Sequence, residues 1–142
     1  MYLIDINILA YAFRVEMPDS DRYARWLHNL LVSGERYGMS DLVLSGFLRI
    51  ITNPKIFSPP TSLASALKFV DEITDNPNCV RITPGERHWN IFLDLCKKVN
   101  ARGNLIPDAY LAALAIESGC EWITNDRSFA NYPGLRWRHP FE

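Results

Sequence analysis

A chain of 142 residues with 48% apolar side chains is long enough to bury a core and too apolar to stay disordered. Its 15 lysines and arginines are balanced by 16 acids, for a net charge of −1, so nothing global marks a nucleic-acid binder and any basic surface must be local. Three widely spaced cysteines, Cys79, Cys96 and Cys120, without a Cys-x-x-Cys, speak against zinc and against a disulfide framework and suit core thiols in a reducing cytoplasm.

Tyr2, Leu3 and Ile4 form a short apolar run that reads as a buried strand, with Asp5 at its end. Ile8, Leu9, Ala12 and Phe13 then share one helical face. Because Asp5 interrupts this stretch and no basic leader precedes it, neither a signal peptide nor a membrane span is expected. Asp19-Ser20-Asp21, after Pro18, starts a helix carrying Tyr23, Trp26, Leu27, Leu30 and Leu31, which Gly34 stops. Residues 37–40 suggest a short strand. Ser40 or Asp41 caps a third helix with Leu42, Val43, Leu44, Phe47, Leu48, Ile50 and Ile51, ended by Asn53-Pro54.

Residues 54–60, with Pro54, Pro59 and Pro60, read as a loop within a single domain of residues 1–142. Thr61 or Ser62 caps a helix with Leu63, Ala66, Leu67, Phe69, Val70 and Ile73, and residues 79–82 form a strand. Thr83-Pro84-Gly85-Glu86 has the pattern of a capping box, with Thr83 as cap and Pro84 as first helical residue, opening a helix whose apolar stripe includes Trp89, Phe92 and Leu95. Residues 107–117 form an alanine-rich helix, residues 121–124 a strand, residues 125–130 a helical turn and residues 135–137 a last strand. Strands alternating with helices predict an α/β fold, a mostly parallel sheet with helices on both faces. Trp26, Trp89 and Trp122 read as core, and His28, His88 and His139 as polar-face or tail residues without a role.

Three carboxylates draw attention. Asp5 ends the first strand, Asp126 follows the strand at 121–124, and Asp108 opens the alanine-rich helix. Parallel strands bring their carboxyl ends to one edge, where ligands bind in open α/β sheets. Asp108 joins the other two if its helix begins at that edge. Carboxylates held close raise one another's pKa, and a divalent cation relieves them; oxygen ligands without His or Cys favour Mg²⁺ or Mn²⁺. Asn7 and Thr124 are candidates for orienting the acids, and Arg49, Lys55, Arg102 and Arg127 for holding phosphates. Plainer roles stand beside these: Asp5 and Asp126 as helix caps, Asp108 as an anion in a first helical turn, the arginines as solvated charge.

The segments IDINILAYAF, GFLRIITNPKIF, ARGNLIPDAYLAALA and ITNDRSFANYPGLRW, spread in order over the whole chain, resemble the PIN-domain ribonucleases, and within them the VapC-type toxins of bacterial toxin–antitoxin pairs. The resemblance implies a three-layer α/β/α sandwich and a Mg²⁺-dependent endoribonuclease. It also implies a cytoplasmic homodimer neutralised by a VapB-type antitoxin. It implies Asp5 and Asp108 as metal-binding acids, Asp126 as a third acid acting directly or through water, and Asn7 and Thr124 as supporting polar residues. In the family, a glutamate usually precedes the Phe-Leu-Arg of the third helix; here Gly46 stands before Phe47-Leu48-Arg49. Asp41 lies roughly 140° away around that helix and is no replacement. Water is expected in the space at Gly46, with Arg49 leaning towards the acids. A second reading of the residues is a binding module with a weakened site. A third, a phosphoaspartate enzyme, lacks the lysine it needs after a strand.

Overall fold

A computed structural model describes residues 1–142. Five strands, β1 (Tyr2–Ile4), β2 (Tyr37–Met39), β3 (Cys79–Arg81), β4 (Glu121–Ile123) and β5 (Trp137–Arg138), form one sheet in the order β3-β2-β1-β4-β5. Every neighbouring pair is parallel. The central strands are covered on both faces, which is why they read as apolar runs. Leu3, Ile4, Tyr37, Met39, Trp122 and Ile123 are wholly buried.

The helices are α1 (Ile6–Phe13), α2 (Ser20–Val32), α3 (Asp41–Ile51), α4 (Leu63–Thr74), α5 (His88–Val99) and α6 (Leu105–Ser118). The first packs on α2 and α3, α3 packs on α4, and α5 packs on α6. Right-handed crossovers from β1 to β2 to β3 place the first four helices on one face. The return crossover from β3 to β4 puts α5 and α6 on the other, giving three layers. Buried Ala109, Ala112, Ala113 and Ala115 let α6 lie close against the sheet. No helix is long and apolar enough to cross a membrane.

The strand order reverses between β1 and β4. In open α/β sheets such a switch point leaves a crevice at the carboxyl ends of the strands. Tyr2, Leu3 and Ile4 pair with Glu121, Trp122 and Ile123, and the Asp5 amide donates to Ile123 O at 3.0 Å. The residues just after the two strands are thus set side by side.

Four expectations from the sequence need correction. Thr83-Pro84-Gly85-Glu86 is no capping box: α5 begins at His88, and Arg87 at its cap makes no side-chain cap bond. The amides leading into α5 are held from another helix. Glu117 of α6 accepts Gly85 N–H at 2.7 Å on Oε1 and Arg87 N–H at 2.9 Å on Oε2. Within α5, His88, Phe92 and Leu95 face inward and Trp89 is 59% exposed. His88 is therefore a core residue, not a polar-face one; its Nε2 donates to Tyr110 O at 3.0 Å, and the ring lies edge-on to Tyr110. Of the cysteines only Cys120 is in the core; Cys79 and Cys96 are half-buried.

Glu117 is thus a carboxylate placed at the start of α5, where backbone amides and the helix dipole favour an anion. Partial burial works against its charge, but the amides of Gly85, Arg87 and His88 outweigh that and hold its carboxyl below the usual range. Glu117→Ala is expected to destabilise the protein by about 1 kcal/mol, the usual loss of a helix-start cap. Hydrogen exchange should quicken at Gly85 and Arg87 in particular; unchanged exchange there would refute the latch.

Candidate active site

The carboxylate of Asp5 is fixed from two directions. Asp5 is the N-cap of α1, with Oδ1 accepting the Ile6 amide at 2.7 Å. The Thr124 hydroxyl, wholly buried just after β4, donates to Oδ2 at 2.6 Å. The same Thr124 oxygen accepts the amide of Asp126 at 3.0 Å. Asp126 in turn caps the 3₁₀ turn Arg127–Asn131, with Oδ1 accepting the Ser128 amide at 2.9 Å. The capping roles of Asp5 and Asp126 are thus present and leave each carboxylate at the sheet edge. Asp108 sits in the first turn of α6, half-buried.

These three acids line one cavity of about 630 Å³ at the switch point, together with Asn7, Ser45, Gly46, Arg49 and Asn104. Ile6, Leu42, Ile50, Pro107, Leu111 and Phe129 supply its apolar lining. None of the three aspartates is in an ion pair. Burial pushes the Asp5 carboxyl up to about 6, against the pull of the Thr124 and Ile6 hydrogen bonds, and the charges of Asp108 and Asp126 add to the rise. Burial and the charge of Asp126 raise Asp108 to about 6 as well.

The predicted basic residues separate. Arg49 is an exposed lining residue of the cavity and has no carboxylate partner. Arg127 is turned to Glu142, at 2.8 Å, while Arg102 and Lys55 lie outside the lining. Asp41 pairs with Arg81 and stays away from the cavity. Gly46 lines the cavity, but the space directly against its Cα is taken by a side chain. A Cβ there would stand 2.5 Å from Ile6 Cδ1, so the isoleucine already occupies it. Ser45, Asn104 and Ile6 were missed as lining residues. Only adjacency to Gly46, Asp108 and Asp5 marked them in the sequence.

No three acidic, histidine or cysteine side chains stand close enough together to form a closed metal-ligand set. The donors present nevertheless fit one class of cation. They are hard oxygens, with two raised carboxyls that face the cavity and have no ion-pair partner. Mg²⁺ commonly takes only one or two protein carboxylates and keeps several waters. An open pair, Asp5 and Asp108, with Asp126 reaching through water, suits that habit.

The PIN-domain family model matches residues 2–135. Ribonuclease VapC43 of Mycobacterium tuberculosis (strain H37Rv) is 42% identical over 142 residues, spanning 100% of this chain and 97% of the relative. Ribonuclease VapC25 of the same strain is 36% identical over 140 residues, 99% of each. In three dimensions the fold is similar to VapBC2 from Rickettsia felis, solved bound to a DNA fragment from its promoter, with a TM-score of 0.70, 20% identity and 97% of each chain covered.

The raised carboxyls set a pH dependence. Between about pH 4 and 6 the native state keeps protons that the unfolded chain has released, so metal-free stability should fall as pH rises through that window. For Asp5, raised from 3.8 to about 6, the loss is about 2–3 kcal/mol. Asp5→Asn should remove about half of this slope, leaving the part that Asp108 contributes, and raise the metal-free melting temperature at pH 7. Melting curves of both proteins across pH 4–8 in chelator check it; a wild-type profile that is flat, or rises with pH, would contradict the burial of an unpaired carboxylate.

Proposed function

The chain belongs to the PIN-domain family, among its VapC ribonucleases, and from that premise we propose that it is a metal-dependent endoribonuclease serving as the toxin of a VapBC-type pair. The observation that carries the reading is the group of unpaired aspartates, Asp5, Asp108 and Asp126, around one cavity at the β1/β4 switch point, with Arg49 free at its wall.

Asp5 and Asp108 are the residues to hold Mg²⁺ or Mn²⁺, which when bound polarises the scissile phosphate and lowers the pKa of the attacking water. Thr124 keeps the Asp5 carboxylate in one orientation by donating to Oδ2. Asp126 has Oδ1 engaged by Ser128 and Oδ2 free of hydrogen bonds, so the free oxygen is available to orient or deprotonate a water. Asn7 lines the same floor and supplies a polar contact beside the acids. Arg49 takes a phosphate of the RNA backbone, with Arg102 and Arg127 contacting the strand further out. The protein acts in the cytoplasm as a homodimer. Its antitoxin is a VapB-type protein whose tail folds onto the acidic edge and adjacent helices.

A weakened binding module on the same fold is the second reading, favoured by the apolar occupant of the place at Gly46. Cleavage separates the two. Asp5→Asn and Asp108→Asn should each lower Mg²⁺-dependent RNA cleavage by about a hundredfold or more, and Thr124→Val by about tenfold, in keeping with loss of an orienting partner. All three should remain folded by circular dichroism. Expression of the wild type should arrest growth, and co-expression of the neighbouring antitoxin gene should relieve it. A wild type that cuts no RNA in Mg²⁺ or Mn²⁺, yet still binds the antitoxin, would establish the binding module instead.

A further inference from the structure

We infer that Tyr132 is a positioning residue for the acidic cavity: its hydroxyl, by holding the first residue of α6, fixes Asp108 relative to Asp126. The inference rests on the metal-site reading above and deepens it.

The start of α6 has little of its own to hold it at the cavity. Asn104, at its N-cap, makes no side-chain cap bond. The amides of Leu105 and Ile106 go to the carbonyls of Arg102 and Gly103, both at 3.1 Å, within the turn that leads into the helix. Further along, α6 is fastened to α5: His88 Nε2 donates to Tyr110 O, and Glu117 holds the amides of Gly85 and Arg87. At the end that carries Asp108 there is one side-chain tie. The Tyr132 hydroxyl donates to Leu105 O at 3.2 Å. Leu105 precedes Asp108 by three residues, so the two are neighbours on one side of the helix, and a shift of the first carries the second with it.

The other end of the tie also belongs to an acid-bearing element. The 3₁₀ turn Arg127–Asn131 has Asp126 as its N-cap and Tyr132 as its C-cap, with the Tyr132 amide donating to Phe129 O. The acid stands at one end of this short unit and the tether at the other. Tyr132 is buried, and its ring packs on Phe129, a residue of the cavity lining, with centroids 5.6 Å apart. Burial, followed by the charges of Asp108, Cys96 and Asp126, raises the hydroxyl to about 12, so it stays a donor at neutral pH. Thr124 already joins Asp5 to Asp126 through one oxygen. Tyr132 extends that line to Asp108, the one acid that follows no strand.

The test compares wild type with Tyr132→Phe, which keeps the ring and removes the tie, and with Glu117→Ala, which loosens α6 from α5 away from the cavity. Calorimetric Mn²⁺ titration and metal-free hydrogen exchange read all three. Tyr132→Phe should melt within about 4 °C of wild type, as loss of one neutral hydrogen bond implies, yet bind Mn²⁺ about tenfold more weakly. Its exchange should quicken at the amides of Asp108 and Ala109. Glu117→Ala should keep wild-type Mn²⁺ affinity and slow exchange at those two amides. Unchanged affinity in Tyr132→Phe, or an equal loss in Glu117→Ala, would overturn the positioning role. If the wild type takes up no Mn²⁺, the metal-site reading fails and exchange alone decides the tie: quickening at Asp108 and Ala109 confined to Tyr132→Phe sustains it, and its absence overturns it.

Discussion

The hydrogen bond from Thr124 to Asp5 ties the site to the sheet. It exists because β1 and β4 are neighbours in parallel register, with Ile4 opposite Ile123, so the next residue of each strand faces the other. The Thr124 oxygen donates to one acid and accepts the amide of another, linking Asp5 and Asp126 across 121 residues of sequence through one buried atom. A slip of one residue in that pairing would turn every side chain of β4 to the opposite layer and separate the two acids. The buried apolar side chains of both strands specify the register, so the packing of the core also sets the geometry of the cavity.

Holding a carboxylate at 6% exposure with two hydrogen bonds and no basic side chain paired to it costs stability, and the rise of its pKa records that cost. The fold offsets it elsewhere. Phe129, which lines the cavity, packs on the buried Trp122, the alanine face of α6 is buried, and Glu117 fastens α5 to α6 on the same side of the sheet. Local compromise at a site, supported by a consistent surrounding structure, is the pattern expected where function rather than stability selects the residues. The interior glycine of α3 belongs with it: about 0.5–1 kcal/mol of helix stability is given up there, and the space is filled from α1 by Ile6.

Much of this was legible in the chain because it is locally encoded. The strand-then-acid pattern at Asp5, the Ser40 cap of α3 and the alanine stripe of α6 are short-range signals, and the structure has all three. The features that were not legible depend on partners distant in sequence. Thr83 and Glu86 had the spacing of a capping box, but a carboxylate 30 residues on from Arg87 competes for the same amides and moves the helix start. On the same helix Trp89 is exposed and His88 packs against Tyr110, reversing both expectations. Likewise the gap at Gly46 looked empty because the side chain that fills it comes from a different helix. Adjacency alone did not decide which arginine reaches the cavity: Arg127 is next to Asp126 yet turned to Glu142, whereas Arg49, expected from the family resemblance to lean towards the acids, lines the wall.

The cavity's charge also bears on the order in which ligands assemble. Three carboxylates face one guanidinium, so the bare cavity repels a phosphodiester, and the chain's net charge of −1 offers no long-range attraction to compensate. As pH rises through about 6 both raised acids ionise, and the repulsion grows with them. On the proposed function, RNA and the divalent cation therefore bind cooperatively. Each lowers the electrostatic cost of the other, and by linkage RNA must raise the cation's affinity by the same factor as the cation raises that of RNA. An arginine or lysine on an antitoxin tail answers the same three carboxylates without delivering a phosphate to them. One unpaired acidic cavity thus accounts for both partners of the proposed toxin: a metal with RNA in one state, a cationic side chain in the other.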